Sequence, residues 1–336
     1  MTQSELAAKT NIPQGVISKA EHGLTDHSQE RLAAIASVLG YPLEMFDWDE
    51  EIYGFGSAAF YHRKQKSLSQ QHLKKIHADF NLTRIRIKRL THGLDIHGKH
   101  HFAPLDLEDF DSPRHVAQAA RAMWQLPMGP VRNMVRIVEN AEGIVVFEDF
   151  GTDKISAISQ WAPGERPIFV LNSVHSPDRQ RFTLAHEVAH ILMHAIPRES
   201  QEQEADEFAS EFLMPQAEIS PDLAQGIDLA RAAQLKTVWR VSMGALIRRA
   251  KDLGYITDSR YTSLSVQMSQ KGWRKREPVE IAPDQPRFVS GVIKAKQDDG
   301  YDVEDLGAVA GLHPQEFADK FLPAPAEGPR LRVVNP

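Results

Sequence analysis

At positions 181–194 the chain reads RFTLAHEVAHILMH, which holds H-E-x-x-H as His186, Glu187 and His190. A helix turns roughly 100° per residue, so histidines four apart stand one turn above each other and reach a single metal ion. Leu184, Val188 and Ile191 fall on the opposite side, where a helix buries itself. Glu187 stands beside the pair, placed to hold a water rather than the ion. A hydrolytic zinc site asks for two nitrogen ligands, a third protein ligand, an open position and a general base. The plainer reading is a helix that carries two histidines by chance, and the apolar backing on the correct side argues against it.

A third ligand is needed. A histidine ten residues after the first, with a glycine between, is ruled out: those places hold Ile196 and Met193. His194 continues the ladder of His186 and His190 and serves worse than a residue from another helix. That helix is ESQEQEADEFASEFLMP, stopped by Pro215. Ala205, Phe208, Ala209 and Phe212 form one face, and its alanines allow close approach. Glu204 lies at one edge of this face and Glu202 at the other, with Glu207 and Glu211 further outward. Geometry alone leaves Glu204 open against its neighbours.

The elements around these residues are legible in outline. GIVVFEDFG and ERPIFVLN are β-branched, apolar runs bounded by Gly, Pro and Asn, which read as strands. IFVLN is the candidate for an edge strand that binds substrate as an added strand. RHVAQAARAMWQLP and VRNMVRIVENA read as helices before them. Near the start, TQSELAAKT breaks at Asn11-Ile12-Pro13, PQGVISKAEHG ends at Gly23, and SQERLAAIASVLG carries an apolar stripe stopped by Gly40. Two short helices joined by a tight turn, then a third, form a helix-turn-helix pattern.

Composition bounds the rest. The chain has 336 residues, a formal charge of −6 and no cysteine. Disulfides and thiolate ligands are thereby excluded, so His, Asp or Glu must hold any metal. Their absence fits a reducing cytoplasm. MTQSELAAKTN has no apolar signal segment, and no stretch approaches the ~20 apolar residues of a membrane span. The acidic balance does not advertise a nucleic-acid binder. Between Tyr61 and Leu90, however, nine Lys and Arg face the single acid Asp79. That segment fits a phosphate-facing surface and a solvated helix equally. His92, His97, His100 and His101 lie in a stretch without periodicity and read as a surface loop.

Two resemblances follow from these motifs. TQSELAAKTNIPQGVISKAEHG and LAAIASVLGYPLEMF resemble the helix-turn-helix of XRE-type (Cro/repressor-like) DNA-binding domains. That likeness implies that Gln14, Gly15, Ser18 and Lys19 lie on the recognition helix. The family's module opens with a further helix, for which the sequence from Met1 leaves no room. DRQRFTLAHEVAHILMH followed by EADEFASEFLMP resembles the ImmA/IrrE metallopeptidases, as do MWQLPMGPVRNMVRIVENAEGIVVF, VWRVSMGALIRRAKDLGYI and GWRKREP. This likeness implies zinc, or another divalent metal such as manganese, on His186, His190 and Glu204, with Glu187 as general base. His194 is a weaker candidate for an oxyanion donor than for a helix-end residue. The likeness also implies a protein substrate, an XRE-type repressor or the chain itself, cut in the course of transcriptional regulation. The alternative is a DNA-binding regulator or antitoxin whose zincin-like part senses or supports.

The expected fold is α+β and mostly helical. Residues 1–50 form the helix-turn-helix, and 51–111 basic helices and a linker. Residues 112–260 form a zincin-like domain with a small sheet, closed by a second helix-turn-helix-like segment that serves packing. Residues 261–336 form a small helical region with a turn at Gly311 and a flexible Pro/Gly-rich tail.

Overall fold

The first helix, α1 (Gln3–Thr10), starts at a capping box between Thr2 and Glu5 and stops at Asn11, whose φ of 58° is left-handed. Pro13 then precedes α2 (Gln14–Glu21), and α3 (Gln29–Leu39) ends at Gly40, again left-handed at 75°. Leu6, Ile12, Ile17 and Ile35 close a small core between them, packed by Ala7, Val16, Val38 and Phe46. Apolar residues at helical spacing and turn residues at the breaks account for this module.

The computed structural model describes residues 1–54, 69–196 and 198–322. Among them lie fifteen α-helices and three strands, the mostly helical α+β class that the patterning implies. The chain divides into two units. One comprises Met1–Ile52, Leu82–Leu94 and Val289–Pro336; the other comprises Tyr53–Asn81 and Asp95–Phe288.

In the first unit the basic segment has an unexpected role. From residue 70 on it lies on α4 (Gln70–Thr91), where Lys74, Lys75 and Lys88 are exposed, as a solvated helix requires, and Arg84 and Arg86 are buried. Arg84 donates to the Glu51 carbonyl, and Arg86 Nε donates to the Ala310 carbonyl at 3.1 Å. Arg89 donates to the Val309 carbonyl and pairs with Glu50 at 2.7 Å. These guanidiniums neither face phosphate nor lie in solvent; they hold backbone carbonyls. Arg63, Lys64 and Lys66 lie outside the described residues.

The expected turn at Gly311 is also there, between α14 (Val303–Ala310) and α15 (Pro314–Phe321). Its φ is 60°, and a Cβ at this position would stand 2.5 Å from the Trp48 ring. Only glycine meets both demands. The Pro/Gly-rich tail, from residue 323, lies outside the described residues.

In the second unit a three-stranded sheet has the order β1-β3-β2. Strands β1 (Ile144–Glu148) and β3 (Ile168–Asn172) run parallel, and β2 (Ala157–Gln160) pairs antiparallel with β3. IFVLN is therefore the central strand and not the edge. Every residue of it is buried, which is why it reads as a continuous apolar run. The missed strand, AISQ, is short and half polar. The helix α7 (Pro177–Met193) packs on β2 and β3, and α8 (Gln201–Leu213) packs on α7 and on α5 (Pro113–Met123).

The segment resembling a second helix-turn-helix is α10 (Leu229–Trp239) and α11 (Met243–Asp252), joined through a left-handed Arg240. Its basic residues serve packing. Arg249 is buried, donating to the Met214 carbonyl and pairing with Glu211. Glu211 is thus an interior carboxylate, 1% exposed, where the helical pattern placed it outward. Its oxygens also accept from Gln118 and the Gln216 amide.

Candidate metal centre

The helix α7 starts at Ser176 with Pro177 in its first turn, a residue whose fixed φ suits that place. Its roll is set by burial on two sides. Leu184, Ala185, Val188, Ala189 and Leu192 are all interior. Arg181 fixes the helix further: it is 2% exposed and pairs with the equally buried Asp284. Its Nε donates to the Arg240 carbonyl at 3.0 Å. Asp284 also accepts from the Met134 amide at 2.7 Å and from Arg240 at 3.2 Å. A buried carboxylate with several donors is an anchor, and nothing local in the sequence marks it as one.

With α7 so held, Ala185 and Ala189 on it and Ala205 and Ala209 on α8 are fully buried. Their small side chains let the two helices approach closely. The result is a cluster of three ligand-type groups, His186, His190 and Glu202. The Nε2 atoms of the two histidines lie 3.0 Å apart. One Glu202 oxygen is 3.3 Å from His186 Nε2, and the other is 3.3 Å from His190 Nε2. Among the described residues this is the one such group.

Glu204 is elsewhere. It accepts from His194 Nε2 at 2.9 Å and from the Ser200 hydroxyl at 2.7 Å. The two glutamates are two residues apart, about 200° around a helix axis, so they cannot share a face. The signal for Glu202 lies four residues on, in Asp206. Asp206 Oδ1 sits 2.8 Å from His186 Nδ1, so Glu202 and Asp206 between them reach three nitrogens of the histidine pair from one stripe.

Asp206 engages His186 Nδ1, so Nε2 is the nitrogen turned toward His190 and Glu202. Two imidazole nitrogens 3.0 Å apart with a carboxylate against both call for a cation between them. Ligands about 2.0–2.1 Å from a tetrahedral zinc stand about 3.3 Å from one another, close to the separations here. The donor set, two nitrogens and a carboxylate oxygen, fits zinc.

The electrostatics agree. Burial alone would lower the His186 pKa, but Asp206 and Glu202 outweigh it and push it up to about 10. Burial would raise the Glu202 carboxyl, yet the two histidines hold it far below the usual carboxylate range. The cluster is built to hold positive charge. His194 differs: burial and the neighbouring His190 bring it down to about 4, against the pull of Glu204.

Glu187 lies beside the cluster, largely buried, and accepts from the Ser159 hydroxyl on β2 at 2.5 Å. Residue types gave no hint of Ser159. His194 caps the end of α7 and has both ring nitrogens engaged, by His190 and by Glu204. It therefore has no N–H left for an oxyanion. His92, His97 and His101 are exposed, and His97 pairs with Asp95.

On α2, Gln14, Gly15 and Lys19 are exposed and Ser18 is half-buried. The Gln14 amide donates to Gln3 at 2.6 Å, tying α2 to α1. Among the described residues no helix is long and apolar enough to cross a membrane.

Two comparisons with known families agree with this division. Residues 139–251 match the IrrE N-terminal-like domain, a metallopeptidase-type family, and residues 1–46 match the helix-turn-helix family. No curated protein matches the chain.

Proposed function

For a chain that joins an IrrE N-terminal-like peptidase domain to a helix-turn-helix domain, we propose a metal-dependent endopeptidase that acts in transcriptional regulation. The observation that carries this reading is the convergence of His186 Nε2, His190 Nε2 and Glu202 within 3.3 Å, with Glu187 beside them. His186, His190 and Glu202 would hold zinc or a similar divalent ion; Glu202 takes the place that family likeness gives to Glu204. Zinc held by these three residues would supply Lewis-acid chemistry, polarising a scissile carbonyl and lowering the pKa of a water toward 7.

The remaining work falls to the chain's own groups. Ser159 holds Glu187 Oε2, which leaves Oε1 to take the proton of the attacking water and hand it to the leaving amine. β2 is the sheet edge that carries Ser159. A substrate laid along it as an added strand would bring its carbonyl to the same place. The substrate class is a protein of the XRE-repressor kind or the chain itself, because such a module is fused to the peptidase.

The experiment is co-expression with repressors from the same genome, scored for a cleavage product, with wild type beside Glu187→Gln. A product from wild type alone supports the reading. Equal cleavage by both proteins would remove Glu187 from the mechanism. The exposed Gln14, Gly15 and Lys19 favour a second reading, a DNA-binding regulator whose zincin-like domain senses a signal. Mobility shifts on the chain's own promoter, unaccompanied by cleavage, would select it.

A further inference from the structure

The third histidine of the ladder is used neither as a ligand nor as an oxyanion donor, yet its side chain is completely buried. Its two contacts run in series. His190 Nδ1 meets His194 Nδ1 at 2.9 Å, and His194 Nε2 meets Glu204 Oε2 at 2.9 Å. Glu204 Oε1 in turn accepts from Ser200 at 2.7 Å, the residue that precedes α8.

The direction of this chain is fixed from its far end. An ionised carboxylate only accepts, so His194 carries its proton on Nε2 and gives it to Glu204. A neutral imidazole with Nε2–H has a bare Nδ1, so His194 must accept from His190. His190 then carries its proton on Nδ1, and its Nε2 lone pair is left facing His186 Nε2 and Glu202. The opposite order would put two protons, or none, into one of the contacts. Ser200 holds the second Glu204 oxygen, so the terminal acceptor cannot swing away.

We infer that His194 and Glu204 are positioning residues for His190, a two-membered relay that sets the tautomer and ring orientation of that metal ligand. The inference rests on the metal-centre reading above. Metal-binding histidines usually pass their second N–H directly to a carboxylate, a carbonyl or water, and loss of that partner costs 10–100-fold in metal affinity. Asp206 does this directly for His186. For His190 the carboxylate is one imidazole further out, on the stripe of α8 that Glu202 does not occupy. The relay thereby gives Glu204 a task without making it a ligand.

The test is zinc affinity of the full chain, by competition with a chromophoric chelator, in wild type, His194→Ala, His194→Asn, Glu204→Gln and His186→Ala. His194→Ala should bind zinc 10–100-fold more weakly. His194→Asn should recover most of this, because its Oδ1 can accept where Nδ1 did. Melting temperatures separate lost folding from lost affinity, and the Asn variant is the control for packing. In the zinc-loaded wild type, nitrogen–proton correlations should place protons on His190 Nδ1 and His194 Nε2. His194→Ala within twofold of wild type, or a proton on His194 Nδ1, would overturn the relay while zinc binding that is lost in His186→Ala keeps the metal centre. Failure of the wild type to take up zinc would remove the metal centre and the relay together.

Discussion

At the candidate metal centre the cluster is made by single residues, and which of them join it turns on the side of a helix each one occupies. The H-E-x-x-H spacing places His186 and His190 together without any tertiary information. The third member of the cluster, Glu202, depends on the roll of α8, which Phe208, Phe212 and the two alanines set by burial. A string of acids at 202, 204, 206 and 207 gives that roll no local marker, apart from the four-residue step from Glu202 to Asp206. Replacing Glu202 with Ala should therefore reduce retained zinc from about one per chain to background by mass spectrometry, in line with a three-ligand site. Asp206→Asn, which removes only a charged acceptor behind His186, should keep the metal and weaken its affinity by 10–100-fold.

At the scale of elements, Asp178 in the first turn of α7 pairs with Lys236 of α10 at 2.8 Å, and Glu277 takes the same ammonium at 2.7 Å. Burial would raise the Asp178 carboxyl, but Lys236 holds it below its ordinary value. Lys236 itself is raised by its two acids, against burial. A depressed carboxyl stabilises the fold above its unfolded pKa of about 3.9, and that contribution is lost as pH falls through the lower folded value. A raised lysine stabilises below about pH 10.4, and that contribution is lost as pH rises through the folded value. Lys236→Met leaves the buried Asp178 without its ion-pair partner, takes one partner from the half-buried Glu277, and should cost about 3–5 kcal/mol at neutral pH. Thermal unfolding across pH checks this: the deficit should shrink below about pH 4 as the carboxylates protonate. The sheet shows where patterning stops. β1 and β3 announce themselves by apolar runs, whereas the edge strand β2 is four residues with polar Ser159 and Gln160. Edge position is a property of pairing, and no single strand's sequence states it.

On the scale of the whole molecule, the two family matches were legible from motifs because each module is local in sequence. The anchors were not, since Arg86 to Ala310 and Arg181 to Asp284 join positions far apart. Asp284→Ala leaves Arg181 buried without its counter-charge and should cost about 3–5 kcal/mol, read as a lower urea midpoint at unchanged slope. In the helix-turn-helix module, Lys19 is exposed on α2, where the family likeness places a contact to DNA. If the module binds its own promoter, Lys19→Ala should weaken binding and reduce the salt slope by about one.

The Arg181–Asp284 pair spans 103 residues of chain, and this sets a timetable. Chains emerge at about 5–20 residues per second, so the helix that carries the histidines waits about 5–20 seconds for the carboxylate that secures it. The helix-turn-helix, whose contacts lie within its first fifty residues, is complete long before. During synthesis, then, the helix-turn-helix module exists while the candidate metal centre is still unassembled. On the proposed reading, any cut of the chain's own leading domain has to wait until both are finished.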